Sequence, residues 1–145
     1  MIIGILGAGS WGSALANLLA GNGHDTYREQ RDRLPGVHLN ETITFTTDLE
    51  QTIKGKKMIV CAVPSPFIRS TAKKIAPFIT NDQLIVNVSK GIEEATLTPI
   101  VEIIESEIPG AKVAVLSGPS HAEEVGIGIP TTVVAGARDM DTAKL

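Results

Sequence analysis

A glycine-rich turn lies at the start of the chain, between a strand-like segment and a helix-like segment. The apolar residues 2–6 precede the pattern G-x-G-x-x-G, which is formed by Gly7, Gly9 and Gly12. In this position the pattern is typical of a site for a dinucleotide pyrophosphate. We expect Gly7 to permit the tight turn, Gly9 to let phosphates approach the main chain, and Gly12 to let the helix pack closely. The opposing interpretation is a glycine-rich turn that only packs a helix on a sheet.

Strand-like and helix-like segments alternate along the rest of the chain. This alternation predicts an α/β fold with a doubly wound parallel sheet of the Rossmann type, in a single domain covering residues 1–145. The predicted strands after the first are residues 43–46, 58–63, 84–88, 113–116 and 131–135. The predicted helix starts are Ser10, Thr47 (with Glu50 completing a capping box), Ser65, Thr98, the turn at 118–120 and Asp139.

The segment 23–38 does not show the second strand that this fold requires. Residues 24–33 contain no apolar run. In the strand order 3-2-1-4-5-6, strand 2 pairs with strand 1, so its loss would leave strand 1 with a bare edge. Either residues are missing from the sequence here or the region is locally unusual, and we favour missing residues. The domain is therefore predicted to be abnormal or incomplete at 23–38.

Composition and residue spacing argue against several classes of site. The net charge is −3 and there is no block rich in lysine or arginine, which argues against a nucleic-acid surface. Cys61, the single cysteine, excludes an internal disulfide and lies in an apolar run typical of a core thiol. The histidines His24, His38 and His121 lack metal-ligand spacing, so no metal is predicted. We interpret His121 as a surface residue at a helix start.

The termini and apolar segments indicate no membrane span. The N-terminus lacks the basic region of a secretion signal, and no apolar run approaches the roughly 20 residues that cross a bilayer. We therefore expect a cytoplasmic protein.

Small, hydroxyl-bearing or cationic residues follow three of the predicted strands, where the ligands of such sheets bind. Pro64-Ser65 follows residues 58–63. Ser89-Lys90-Gly91 follows residues 84–88, and Ser117-Gly118-Pro119-Ser120 follows residues 113–116. Lys90 suits a phosphate or a carboxylate as a point charge, although an ordinary surface lysine explains it equally well. The amides after Gly118 suit a second anion, unless Ser120 is a simple helix cap.

The motifs taken together resemble those of bacterial NAD(P)-dependent glycerol-3-phosphate dehydrogenase. The resemblance rests on G-A-G-S-W-G at 7–12, N-G-H at 22–24, L-P-G at 34–36, V-P-S at 63–65, S-K-G-I-E at 89–93 and L-S-G-P-S at 116–120. They span most of the chain in the family's order, and their combination is far more specific than the first motif alone.

The resemblance implies hydride transfer between dihydroxyacetone phosphate and sn-glycerol 3-phosphate with NAD or NADP, a step that supplies glycerophospholipid biosynthesis. It implies a cofactor site at Gly7, Gly9, Ser10, Trp11, Gly12, Lys90 and Ala122. It implies substrate contacts at Lys90, Gly118 and Ser120. It is also compatible with a homodimer of the full-length enzyme.

The chain departs from the family pattern in two places. The stretch after His24 is short and polar, so neither Arg28 nor Arg31 can be assigned a role in choosing between NAD and NADP. The family's catalytic lysine lies in a C-terminal helical domain, beyond Leu145, so no catalytic residue is predicted in this chain. We expect the chain alone to bind dinucleotide and to turn over little or nothing. The alternatives are another small-ketone dehydrogenase and a non-catalytic dinucleotide-binding sensor module.

Overall fold

The computed structural model describes residues 1–7, 9–29 and 38–145, and its seven strands form one sheet. The strand order is β3-β2-β1-β4-β5-β6-β7. The first six strands in this order run parallel to one another, and β7 runs antiparallel to β6. The strands are β1 (Ile2–Leu6), β2 (Asp25–Glu29), β3 (Thr44–Thr46), β4 (Met58–Cys61), β5 (Leu84–Asn87), β6 (Lys112–Ser117) and β7 (Val134–Ala137). The predicted doubly wound sheet is confirmed, with an antiparallel edge strand in addition. That strand begins later than the predicted 131–135.

Helices cover both faces of the sheet. The helices are α1 (Ser10–Gly21), α2 (Leu49–Ile53), α3 (Ile68–Ile75), α4 (Ile100–Glu107), α5 (Ala122–Gly126) and α6 (Met140–Ala143). On one face α3 packs against α4, and their apolar side chains form a core with Ile59 and Ile85 of the sheet. On the other face α1 packs against α5, and Leu15 and Ala16 of α1 meet Ile3 and Ile5. Two apolar layers thus hold the central strands from opposite sides.

The second strand is present although it lacks an apolar run. β2 pairs in parallel with β1 on one side and with β3 on the other. Its buried positions hold Thr26 and Arg28, and the Arg28 guanidinium lies 5.9 Å from the centroid of the Phe45 ring. β1 therefore has no bare edge, because main-chain pairing on both sides supports a strand whose buried side chains are polar. Residues 30–37 lie outside the described residues, so the prediction for 23–38 remains a prediction.

Several helix starts differ from the predicted ones. Asp48, rather than Thr47, caps α2, because its carboxylate accepts hydrogen bonds from the N–H groups of Glu50 and Gln51 at 2.9 and 3.3 Å. A carboxylate in this position also interacts favourably with the positive end of the helix dipole. Asp139 caps α6 as predicted, accepting a hydrogen bond from the N–H of Thr142 at 2.8 Å.

Prolines shift two further starts. Ser65 begins a short 3₁₀ turn, and α3 starts only at Ile68. Pro99 is the residue immediately before α4 and also bridges to Ile92, so Thr98 does not cap this helix. In both places a hydroxyl residue followed by proline marks the end of a loop rather than the first turn of an α-helix.

Within the described residues, no helix combines the length and the apolar character needed to cross a membrane.

Candidate functional site

An open cleft of about 540 Å³ lies where the carboxyl ends of β1, β4, β5 and β6 meet. One loop after each of these strands contributes to its wall. The lining residues are Gly9, Ser10, Trp11, Ala62, Val63, Pro64, Ser65, Val88, Ser89, Lys90, Ser120, His121 and Ala122. Ligands of open parallel sheets bind outside the carboxyl ends of the strands, and the cleft has the size of a small-molecule site.

The three glycines of the first loop lack a side chain for different reasons. Gly7 has φ +101°, and a Cβ there would lie 2.5 Å from the main-chain oxygen of Ala62. A Cβ on Gly12 would lie 2.4 Å from the main-chain oxygen of Gly7. Around Gly9, by contrast, no heavy atom of the described residues beyond its chain neighbours lies within 4 Å of a Cβ position. Packing explains Gly7 and Gly12, whereas Gly9 leaves a space that a phosphate group fits.

The N-terminus of α1 faces this space without a side-chain cap. Gly9 holds the N-cap position with φ −68° and ψ 179°, and no side chain in the described part of the chain caps the helix. Ser13 Oγ donates instead to the main-chain oxygen of Gly9 at 3.0 Å. First-turn N–H groups have no acceptor within their own helix and lie at the positive end of its dipole. They are therefore suited to bind a pyrophosphate.

Trp11 contributes a hydrogen-bond donor to the cleft wall. Its indole Nε1 is buried and has no hydrogen-bond partner among the described residues. Its ring packs against the apolar layer that contains Leu15 and Val60. A buried donor without an acceptor is costly, so a ligand oxygen at this point would satisfy it.

Lys90 supplies the positive charge of the cleft. Its Nζ donates to the main-chain oxygens of Gly118 and Ser120 at 3.3 and 3.2 Å, which joins the loop after β5 to the loop after β6. Two of the three ammonium donors are used in this way. Lys90 has no carboxylate partner in the part of the chain that the structure describes. The third N–H group of Lys90 can therefore donate to an anionic ligand, and the positive charge of the ammonium attracts that ligand.

The loop after β6 positions Lys90 rather than capping a helix. Ser120 is buried, and its N–H donates to the main-chain oxygen of Gly118 at 2.9 Å. The N-cap residue of α5 is His121, so the simple interpretation of Ser120 as a helix cap is wrong. A Cβ on Gly118 would lie 2.6 Å from the main-chain oxygen of Thr132, which explains the glycine by packing. Gly118 does not line the cleft and reaches it through its bond to Lys90.

Ser89 fixes the main chain next to Lys90. Its hydroxyl donates to the main-chain oxygens of Val63 and Cys61 at 2.5 and 3.3 Å, which joins the loops after β4 and β5.

Burial raises the pKa of the Cys61 thiol to about 11, so Cys61 is a protonated core residue, as predicted.

The structure brings most of the predicted site residues together. Gly9, Ser10, Trp11, Lys90, Ser120 and Ala122 all line the cleft, whereas Gly7, Gly12 and Gly118 shape the loops behind it. His121 also lines the cleft, a role that the sequence interpretation missed. The sequence could have indicated this, because His121 lies between Ser120 and Ala122, two residues that were predicted to belong to the site. No group of three or more potential metal-ligating side chains occurs within the described residues.

Comparison with known proteins identifies the family. The model of the NAD-dependent glycerol-3-phosphate dehydrogenase N-terminus matches residues 2–32 and 25–143, two overlapping stretches. A glycerol-3-phosphate dehydrogenase [NAD(P)+] of Agathobacter rectalis is 55% identical over 158 aligned positions, covering 99% of this chain and 47% of the relative. One from Bacillus subtilis is 42% identical, covering 97% of this chain and 46% of the relative.

Solved structures agree with this assignment. The crystal structure of glycerol-3-phosphate dehydrogenase from Coxiella burnetii matches with a TM-score of 0.90 and 29% identity, over 99% of this chain and 48% of that one. The yeast enzyme, at 19% identity and a TM-score of 0.82, shows the same fold. The chain spans about half the length of the relatives it matches. By its matching residues and its fold, the chain belongs to the family of the NAD-dependent glycerol-3-phosphate dehydrogenase N-terminus.

Proposed function

We propose that this chain is the dinucleotide-binding half of an NAD(P)-dependent glycerol-3-phosphate dehydrogenase. The reaction interconverts sn-glycerol 3-phosphate and dihydroxyacetone phosphate and supplies glycerophospholipid biosynthesis. The observation that carries the proposal is the meeting of two features in one cleft: the uncapped α1 N-terminus beside Gly9 and the ammonium of Lys90. One suits a pyrophosphate and the other suits a small anionic substrate.

The cofactor is NAD or NADP, and its hydride is what the reaction transfers. In this proposal Gly9, Ser10 and Trp11 contact the pyrophosphate, while Gly7 and Gly12 keep the loop and helix close enough to do so. The open Cβ position of Gly9 and the unpaired indole Nε1 of Trp11 support the fit.

Lys90, Ser120 and Ala122 on the opposite wall complete the proposed site, with Gly118 behind them. Lys90 contacts both cofactor and substrate, and the carbonyl oxygens of Gly118 and Ser120 aim its ammonium. Ala122 begins α5 beside them and contacts the cofactor. An ammonium close to the carbonyl oxygen of a ketone stabilises the negative charge that develops there during reduction.

No proton-transferring group is proposed within this chain. We propose that this role belongs to a lysine in the further half that the relatives have, so residues 1–145 alone turn over little or nothing. We also propose a cytoplasmic location and a homodimer for the full-length enzyme. Sedimentation of a full-length protein at micromolar concentration tests the dimer, and a monomer would refute it.

Calorimetric titration with NADH and NADPH, followed by an NADH-oxidation assay with dihydroxyacetone phosphate, tests the proposed function. The expected result is saturable dinucleotide binding with almost no oxidation. Robust oxidation by this chain would refute the division of labour between two halves. Absence of binding to both dinucleotides would support a packing role for the glycine turn. Oxidation by a full-length relative with other small ketones, but not with this substrate, would favour a different dehydrogenase.

The shortness of the segment at 23–38 is a separate proposal. The alignment with the Agathobacter relative has 158 positions, which exceeds the 145 residues of this chain by 13. The family model matches in two stretches that overlap at 25–32. We propose that the relatives carry residues near this point that the present sequence lacks. Peptide mapping of the natural protein by mass spectrometry across residues 23–38 tests this: a peptide that carries extra residues here would show that they are missing from the sequence, and a peptide with the given sequence would refute the proposal.

A further inference from the structure

An ion-pair cluster lies beside the loop that carries Lys90, outside the cleft. Arg69 on α3 donates through Nε and NH2 to the two carboxylate oxygens of Glu93, at 2.8 and 2.7 Å. Its NH1 donates to Glu107 on α4 at 2.5 Å. The Glu93 and Glu107 side chains are each 17% exposed and that of Arg69 is 33% exposed. The planar guanidinium therefore holds the two carboxylates in a fixed, partly buried geometry.

The segment of the loop that contains Glu93 is closed on itself. Ile92 bridges to Pro99, and the N–H of Glu93 donates to the main-chain oxygen of Thr98 at 2.9 Å. Thr96 Oγ1 donates to the Glu93 carboxylate at 2.5 Å. These bonds hold residues 92–99 together, and the Arg69–Glu93 pair attaches this part of the loop to α3.

Lys90 lies between two such attachments. On its N-terminal side, the Ser89 hydroxyl is bonded to the main chain at the end of β4. On its C-terminal side, Gly91 turns the main chain with φ +98°, and Glu93 follows two residues later. We propose that Arg69 and Glu93 are positioning residues, which set the direction in which Lys90 leaves the main chain and so bring its ammonium to Gly118 and Ser120.

The charge states favour a permanent attachment. Hydrogen bonds from Arg69 lower the pKa of the Glu93 carboxyl to about 2, and Glu93 and Glu107 raise the pKa of Arg69 further. Both members of the pair are therefore charged throughout the neutral range.

Two variants and a matched control test this proposal in the 145-residue chain. Glu93→Gln keeps the shape of the side chain and removes its charge, and Arg69→Lys keeps the charge and removes the two-point contact. Glu107→Gln is the control, because it removes the other partner of Arg69 without touching the loop. Thermal unfolding of all three identifies variants that fail to fold.

The first readout is the rate at which acetic anhydride modifies Lys90, measured by mass spectrometry relative to Lys112. We expect Glu93→Gln and Arg69→Lys to change this ratio by about threefold or more, and Glu107→Gln to leave it unchanged. This readout is independent of the proposed function. Equal ratios in the wild type and in all variants would overturn the proposal.

The second readout, which rests on the proposed function, is a double-mutant cycle on the NADH dissociation constant with Lys90→Gln. If Glu93 acts through Lys90, Glu93→Gln weakens binding about fivefold alone and has almost no further effect in the Lys90→Gln background. Independent, multiplying effects of the two substitutions would overturn the proposal. A wild-type chain that does not bind NADH refutes the proposed function instead, and the modification rates then decide the positioning role.

Discussion

Gly9→Ala separates the ligand-binding role of the first loop from its packing role. The backbone at Gly9 has φ −68° and ψ 179°, which alanine adopts without strain, and beyond its chain neighbours no heavy atom of the described residues lies within 4 Å of the new methyl group. Alanine is a poorer N-cap than glycine by about 0.5 kcal/mol, and its stiffer unfolded chain offsets about the same amount. The free energy of unfolding should therefore change by no more than about 0.5 kcal/mol.

Dinucleotide affinity should respond very differently to the same substitution. The methyl group fills the space next to the first-turn amides of α1, so a phosphate has to move away from them. A hydrogen bond to a charged group contributes about 1.5–3 kcal/mol. Losing one such bond corresponds to a dissociation constant that is about 10- to 150-fold weaker.

Calorimetric titration with NADH and thermal unfolding measure the two effects on the same samples. Gly21→Ala is the matched control, because it lies at the far end of α1 and, apart from its chain neighbours and the adjacent helix backbone, no heavy atom of the described residues lies within 4 Å of its Cβ position. The control should bind NADH as the wild type does. The steric argument for Gly9 is refuted if Gly9→Ala binds NADH as the wild type does, or if its unfolding temperature lies well below that of the wild type.

Three further predictions concern packing, charge and pH. Gly12→Ala should destabilise the fold by about 1–3 kcal/mol, since its Cβ would lie 2.4 Å from the main-chain oxygen of Gly7; thermal unfolding checks this, and a stabilised variant would contradict it. Lys90→Gln should weaken NADH binding about tenfold at low salt and reduce the salt dependence of the affinity, because it removes a positive charge from the cleft. Titrations at several ionic strengths test this. The same salt dependence of the affinity in the wild type and in the variant would argue against a role for the charge. Burial raises the pKa of the Cys61 thiol to about 11. Above about pH 9 unfolding therefore releases the thiol proton, so the free energy of unfolding should decrease as the pH rises from about 9 to 11, by up to about 3 kcal/mol. Denaturant unfolding of the wild type and Cys61→Ala across this range measures the effect, and equal slopes against pH would show that the thiol does not cause it.

The core of the fold is readable from the sequence, since local patterns and packing agree there. The glycine turn, the apolar runs of β4 and β5, and the cap at Asp139 each specify one conformation through steric or hydrogen-bonding rules. β2 was missed because its buried residues, Thr26 and Arg28, are polar, and its stability comes from pairing with two neighbours distant in sequence. Such pairing leaves no periodic signal in the strand itself.

The candidate site could be predicted only in part from the sequence, for a related reason. Residue type and position at strand ends indicated Lys90 as a cation near a ligand, but not its bonds to the carbonyl oxygens of Gly118 and Ser120. Main-chain acceptors carry no residue signature, so a contact of this kind appears only in the folded chain. The proposed role of Glu93 is hidden in the same way, because Glu93 lies in a loop and its partner Arg69 lies on α3, distant in the sequence.

In the proposed function, a dinucleotide lies in the cleft between the first glycine loop and Lys90. Trp11, the single tryptophan, lines this cleft, so its fluorescence reports on the site itself. Titration with NADH should quench Trp11 emission in a saturable way and transfer energy to the nicotinamide, and Gly9→Ala should shift the midpoint to higher concentration. Quenching that is absent, or that is unaffected by both Gly9→Ala and Lys90→Gln, would contradict the claim.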